Sequence, residues 1–258
     1  MNFEAHLDKE RFRLVFGVEP PERPLDGDLW PGSTGAFLRV RPQSLDGVRP
    51  DSNPAAAGRE AMAGLFGLLP HWAKDPRMGR RTVNARAETA AQKPAFRDAW
   101  RRGQRCIVPA TAIYEPDWSS GRPVSTRLGR HDGRPFGMAG LWDAWSARSG
   151  ESVLSFTLLT IDAAGHELMR RFHRPGKEKR MVVVLDAKSF DEWLRARPDD
   201  ARRLLVPLDE GALAVLGARG EPGTTSKARA SQLDLHARQP PGEAMAEAPE
   251  EWEPENED

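Results

Sequence analysis

The sequence is short of cysteine, of net charge and of long apolar runs, and each shortage excludes something. Cys106 is the one cysteine in 258 residues. No intramolecular disulfide can form, and a cysteine-based metal site is not expected. No stretch approaches the roughly 18 apolar residues of a membrane helix. The opening residues Met1-Asn2-Phe3-Glu4-Ala5-His6 lack the basic-then-apolar pattern of a secretory signal. A protein of the reducing cytoplasm, off the membrane, is therefore expected. No internal repeat is visible, and no recognition-helix motif suggests reading of duplex DNA through its grooves.

The absence of net charge conceals an asymmetry. There are 38 Lys and Arg against 38 Asp and Glu, but residues 241–258 carry eight acidic side chains and no basic one. Residues 1–240 are left with 38 basic and 30 acidic, a net of +8. A basic body with an acidic extension suits a polyanion binder; a plain solubility tail is the simpler alternative for the extension. With 29% charged and 39% hydrophobic residues the chain is globular, and its length allows an ample core.

Local patterns predict many short strands and few helices. Residues 8–16 read as a helix, with Asp8 as cap, Gly17 as stop and Phe12, Val15 and Phe16 on one face. Residues 94–102, 165–172, 190–195 and 201–205 are further helix candidates. Strands are expected at 36–40, 63–69, 105–109, 112–115, 124–128, 136–145, 153–161 and 180–185. The glycines of 63–69 suggest a bend or a close backbone approach. Residues 41–60 read as loop. The composition past residue 218 predicts an ordered domain over 1–218 and a disordered acidic tail over 219–258. The fold class is α+β: one domain with a curled, barrel-like, mainly antiparallel sheet and flanking short helices.

The most polar patterned stretch is 82–89. In an extended segment Asn84, Arg86 and Glu88 share one face, and Val83, Ala85 and Ala87 share the other. That row could grip a ligand, or it could be a solvated edge strand. Glu115 closes an apolar strand between rings, in Tyr114-Glu115-Pro116-Asp117-Trp118. Partial desolvation there would raise its pKa and suit it to proton transfer, unless it is a surface residue before a turn. His173 is followed closely by Arg174, Lys177, Lys179 and Arg180. It could be an acid/base group, a phosphate donor or an exposed loop histidine. Trp30 and Trp72 stand in polar loops, where they could stack on bases or cap the core. Cys106, in an apolar strand, reads as a small buried residue rather than a nucleophile.

In order, the landmarks are Trp-Pro-Gly (30–32), Gly-Leu-Leu-Pro-His-Trp (67–72), Asn-Ala-Arg-Ala-Glu-Thr (84–89), Arg-Cys-Ile-Val-Pro-Ala (105–110), Tyr-Glu (114–115), Phe-Thr-Leu-Leu-Thr (156–160) and His-Arg-Pro-Gly-Lys-Glu-Lys-Arg-Met (173–181). Together they resemble the SRAP family (SOS-response-associated peptidase), the abasic-site processing proteins, over roughly residues 3–205. A monomer without metal or cofactor is expected, and the resemblance implies binding of single-stranded DNA at an abasic site. An N-terminal cysteine, exposed when the initiator Met is removed, would condense with the sugar aldehyde to a thiazolidine crosslink. A peptidase-like self-cleavage is also ascribed to the family. By the same resemblance Asn84, Glu115 and His173 would be catalytic. Asn84 would position the terminal residue and the sugar, Glu115 would be the acid/base, and His173 would assist proton transfer. Arg86, Trp72, Thr160 and Pro31 would contact DNA.

One feature departs from the family. This sequence has Asn2 where the family carries its cysteine. Related members often begin Met-Cys-x-Asn-Tyr, and aligning Asn2-Phe3 with that Asn-aromatic pair leaves the chain two residues short. A start two residues upstream, as Met-Cys, is the favoured explanation, because the other catalytic-type positions are filled. The alternatives are a non-catalytic single-strand binder or an amine-based lyase using the Met1 α-amine. A peptidase acting on other proteins ranks below all of these.

Overall fold

The structure, a computed structural model, describes residues 2–22, 27–42, 58–146, 150 and 152–218. The expected acidic tail lies outside the described residues. In chain order the elements are β1 (Asn2–Glu4), α1 (Lys9–Phe16), β2 (Asp28–Leu29), β3 (Thr34–Val40), β4 (Arg59–Phe66), β5 (Asn84–Arg86) and α2 (Arg97–Arg101). There follow β6 (Arg105–Ala110), β7 (Ala112–Asp117), β8 (Val124–Arg130), β9 (Phe136–Ser146), β10 (Ser152–Asp162), β11 (Arg180–Val182) and β12 (Val184–Leu185). The chain continues with α3 (Phe190–Arg195), α4 (Pro198–Ala201) and β13 (Leu213–Ala218).

Five strands close on themselves. β4 pairs with β3, β3 with β6, β6 with β9 and β9 with β10, all antiparallel; β10 then pairs with β4 in parallel and completes the ring. A second sheet runs in the order β13-β8-β7-β1-β2. The expected α+β class and curled, mainly antiparallel sheet are thus what the chain adopts. Aromatic packing fills the space: Phe66 stacks on Phe156 with centroids 5.5 Å apart, and Phe37 lies 5.7 Å from Phe156. Phe3 of β1 meets Phe66 edge to face at 5.2 Å and so ties the second sheet to the barrel. Helix α1 forms as its caps predict. Asp8 accepts a hydrogen bond from the Arg11 N–H at 2.7 Å, and Gly17 takes φ 74°. Its Phe16 stacks on Phe190 of α3.

Several elements differ from the sequence-based expectation. β4 runs from Arg59 to Phe66, so 59–60 belong to a strand rather than a loop. It stops at Gly67 (φ 129°), where the backbone comes so near Gly79 that an added Cβ would lie 2.0 Å from the Gly79 carbonyl oxygen. The anticipated close approach is therefore real, and it fixes where the next segment goes. Residues 165–172 form only a 3-10 turn at Met169–Arg171, preceded by the His166 Nδ1 accepting the Met169 N–H. That side-chain bond competes with helical pairing. The run at 180–185 divides at Val183, whose N–H bonds Leu159 while its carbonyl accepts from Ala139. β11 thus joins β10, and β12 joins β9. Residues 94–102 are helical only over Arg97–Arg101, and 201–205 become the end of α4 and a 3-10 turn at Arg202–Leu204. β1, β2 and β13 were not anticipated.

Candidate functional site

Residues 67–83 join β4 to β5, and both strands lie along β10. This connection is pinned from below. The Thr82 hydroxyl donates to the Leu68 carbonyl at 2.6 Å, and the Trp145 indole donates to the Ala73 carbonyl at 2.7 Å. Pinned in this way, it leaves Trp72 exposed, together with Lys74, Arg80 and Arg81. Arg80 reaches back along the turn at 30–32, for a Cβ on Gly32 would sit 3.6 Å from its Nε. Pro31 is part-buried in that turn, beside the exposed Trp30. Arg80 and the turn at 30–32 are therefore neighbours, and Trp30 and Trp72 are both exposed.

The polar row at 84–88 is shorter than expected. β5 holds three residues, with Asn84 opposite Leu158, Ala85 opposite Leu159 and Arg86 opposite Thr160. The Arg86 carbonyl then accepts the Thr89 and Ala90 N–H groups, so the chain turns and Glu88 leaves the row. Glu88 instead pairs with Arg180 through two oxygens at 3.0 and 2.8 Å. Arg86 is exposed and pairs with Glu178 at 2.6 Å. Glu178 also meets Arg180 at 3.1 Å. Thr160 is buried, and its carbonyl and hydroxyl both face the Arg180 guanidinium, at 2.6 and 3.3 Å. Asn84 is half-buried, with an Oδ1 that has no hydrogen-bond partner among the described residues.

Glu115 and His173 come together. Glu115 ends the buried part of β7 and is 4% exposed. Burial pushes its carboxyl up from 4.5 to about 7, opposed by the positive charge of the chain's amino terminus. Its Oε1 has no partner among the described residues. His173 Nε2 lies 3.8 Å from Glu115 Oε2. Burial lowers the His173 pKa, and the Lys179 charge lowers it further. The imidazole is thus neutral where the carboxyl is half ionised, and the 3.8 Å contact is not an ion pair at neutral pH. His173 takes φ 68°, and it is alone among the described non-glycine residues in having a positive φ. Its N–H bonds the Pro116 carbonyl at 3.1 Å. The amino-terminal strand reaches the same place, since Asn2 pairs with Tyr114, the neighbour of Glu115. Asn2 is buried, with an unpartnered Nδ2 among the described residues.

One loop connects these groups. Residues 172–180 carry His173 to Glu115 at one end, and Glu178 and Arg180 to Arg86 and Thr160 at the other. The anchor of the amino-terminal strand was not read from the sequence. Glu4, 5% exposed, receives the Arg127 guanidinium at 2.7–2.9 Å and a short hydrogen bond from the Tyr114 hydroxyl. No local signal in the sequence marks it, because the partner Arg127 lies 123 residues away. Cys106 is fully buried, and burial pushes its thiol well up, as suits a packing residue. Among the described residues no group of three His, Cys, Asp or Glu is placed to hold a metal ion. No described helix is long and apolar enough to cross a membrane.

The sequence profile of the SRAP (SOS response associated peptidase) family matches residues 11–218. The chain belongs to the SRAP family. The abasic site processing protein YoaM of Bacillus subtilis is 36% identical over 150 residues, which cover 56% of this chain and 62% of YoaM. The abasic site processing protein HMCES of Xenopus tropicalis is 27% identical over 169 residues, covering 56% of this chain and 48% of HMCES. The chain thus matches less than two thirds of the length of these curated relatives. A crystal structure of a protein from Bordetella bronchiseptica is 41% identical, with a TM-score of 0.73, and covers 84% of this SRAP chain and 98% of its own. A second crystal structure, from Bacteroides thetaiotaomicron, shares the fold at 20% identity and a TM-score of 0.68.

Proposed function

We propose that this chain acts, as a monomer, on abasic sites in single-stranded DNA and joins the exposed sugar aldehyde to its own amino end. The observation that carries the reading is the buried Glu115, poised at about 7, against a neutral His173 at 3.8 Å beside the amino-terminal strand. Condensing an amine with an aldehyde releases water and needs a proton donor to the carbinol oxygen. A carboxyl half protonated near neutral pH is matched to that task. Opening the sugar ring needs the same group in both directions, as base and then as acid. The neutral imidazole can relay the proton. Asn84, whose carbonyl oxygen has no partner among the described residues, would hold the terminal residue and the sugar. A terminal thiol would add to the imine carbon and close a thiazolidine. The family's self-cleavage would expose that terminus by the same acid/base pair.

Single-stranded DNA would lie across the face made by Trp72, Pro31 and Arg86. Rings stack on unpaired bases, and cations follow the backbone. In the free protein Glu178 occupies Arg86, and a phosphate oxygen would take its place. Thr160 would support that contact by seating Arg180. The names of the abasic site processing relatives support an abasic site as the target. The test is incubation of the protein, in a form beginning Met-Cys, with a single-stranded oligonucleotide bearing one abasic site. A heat-stable crosslink mapped to the amino-terminal peptide supports the reading. Binding without any crosslink would instead mark a silent binder that shields the lesion.

A further inference from the structure

We propose that Lys179 is a positioning residue that holds His173 against Glu115. In regular extended or helical backbone, three successive carbonyls do not converge on one point. Here they do. The Lys179 ammonium donates to the carbonyls of Phe172, His173 and Arg174, at 3.0, 2.8 and 3.4 Å. The convergence depends on His173 itself, whose left-handed φ of 68° turns the peptide plane. A side chain disfavours that region, so the surrounding structure must impose it. The loop is fixed on two further sides. Phe172 bridges to Asp117, and the Lys179 carbonyl accepts the Ala163 N–H at 2.9 Å. Lys179 is therefore a bolt through the loop that carries His173, and its charge favours the neutral imidazole.

This inference rests on the proposed use of His173 and Glu115 in proton transfer. The charged groups acting on His173 are Glu115 from β7, Lys179 and Arg180 from the loop and β11, and the amino-terminal charge from the β1 end. Of these, Lys179 alone is described as bonded to the His173 backbone. A structural lysine elsewhere in the fold would affect stability without moving the titration of one histidine. Lys179 should move that titration in particular.

The test uses the full chain with labelled histidine, in the wild type and in Lys179→Met, Lys179→Gln and Lys179→Arg. The signal missing from a His173→Ala sample assigns His173 among the six histidines. In Lys179→Met the His173 midpoint should rise, and the crosslinking rate at neutral pH should fall. In Lys179→Arg, which keeps the charge, the midpoint should stay low and most of the rate should return. Lys179→Gln keeps donors without charge and serves if the Met variant does not fold. Its midpoint should also rise. A folded Met or Gln variant with an unmoved His173 midpoint overturns the proposal. The titration needs no DNA, so a wild-type protein that fails to crosslink would refute the proposed function while leaving Lys179 to be judged by the midpoint alone.

Discussion

Replacing Glu115 with Gln should stabilise the protein while disabling it, and the gain should appear only as pH rises. The side chains are nearly the same shape, so below pH 4.5, where the carboxyl is protonated in both folded and unfolded chains, the two proteins should be about equally stable. Between 4.5 and about 7 the folded state holds the Glu115 proton more tightly than the unfolded state. Stability contributed by that proton is complete below the unfolded pKa and is lost as pH rises through the folded one. The interval from 4.5 to about 7, at about 1.4 kcal/mol per pH unit, amounts to about 3 kcal/mol. Above pH 8 the wild type bears this cost, and Glu115→Gln does not. For a domain of this size that corresponds to a rise in Tm of roughly 6–12 °C. Thermal or urea unfolding at pH 4 and pH 8.5 measures it. An equal stability difference at both pH values would refute the argument, because it would mean that Glu115 is not held at a raised pKa by burial.

Other consequences follow from the same geometry. Glu4→Gln leaves the Arg127 guanidinium uncompensated beside a nearly buried amide, so it should cost about 3 kcal/mol. Glu4 has a lowered pKa, so its contribution is present above 4.5 and disappears as pH falls through the folded value. The variant and the wild type should therefore converge in acid, and faster amide exchange in β1 at neutral pH would report the loosened strand. Gly67→Ala places a Cβ 2.0 Å from the Gly79 oxygen at φ 129° and should cost more than about 2 kcal/mol, visible as a lower urea midpoint. Trp72→Ala should leave stability within about 0.5 kcal/mol, since the ring is 43% exposed. Its affinity for single-stranded DNA should fall at least about fivefold by fluorescence anisotropy. An unchanged affinity would remove Trp72 from the DNA face.

What could be read from the sequence was what local chemistry decides. Asp8 and Gly17 bound α1, because capping needs only neighbours along the chain. The apolar run before Glu115 leaves a desolvated carboxylate and a surface residue before a turn both open, and the structure carries Glu115 into the core with its strand. The close approach at Gly67 is legible too, since a glycine inside an apolar run serves a bend or a close approach. What could not be read depends on partners far along the chain. Glu4 is buried because Arg127, 123 residues away, meets it, and without that pair three residues would not hold a strand. Glu88 leaves the polar row because the Arg86 carbonyl takes two later N–H groups and Arg180 receives the carboxylate. Arg86 was legible as an exposed cation but not as one already engaged by Glu178. The run at 180–185 reads as one strand, and only the placement of β9 and β10 shows why it changes partners at Val183.

The central claim is that an acid/base pair at the amino-terminal strand serves the aldehyde of an abasic site. The most direct measurement is borohydride trapping of the protein on abasic single-stranded DNA across pH 5–9. Condensation needs a neutral α-amine, with an ordinary pKa of about 8, and a protonated Glu115, with a pKa of about 7. The account predicts an aldehyde-dependent adduct at the amino-terminal peptide, with a bell-shaped yield highest between about pH 7 and pH 8 and abolished in Glu115→Ala. No trapped adduct at any pH, or an adduct whose yield ignores Glu115, would contradict it.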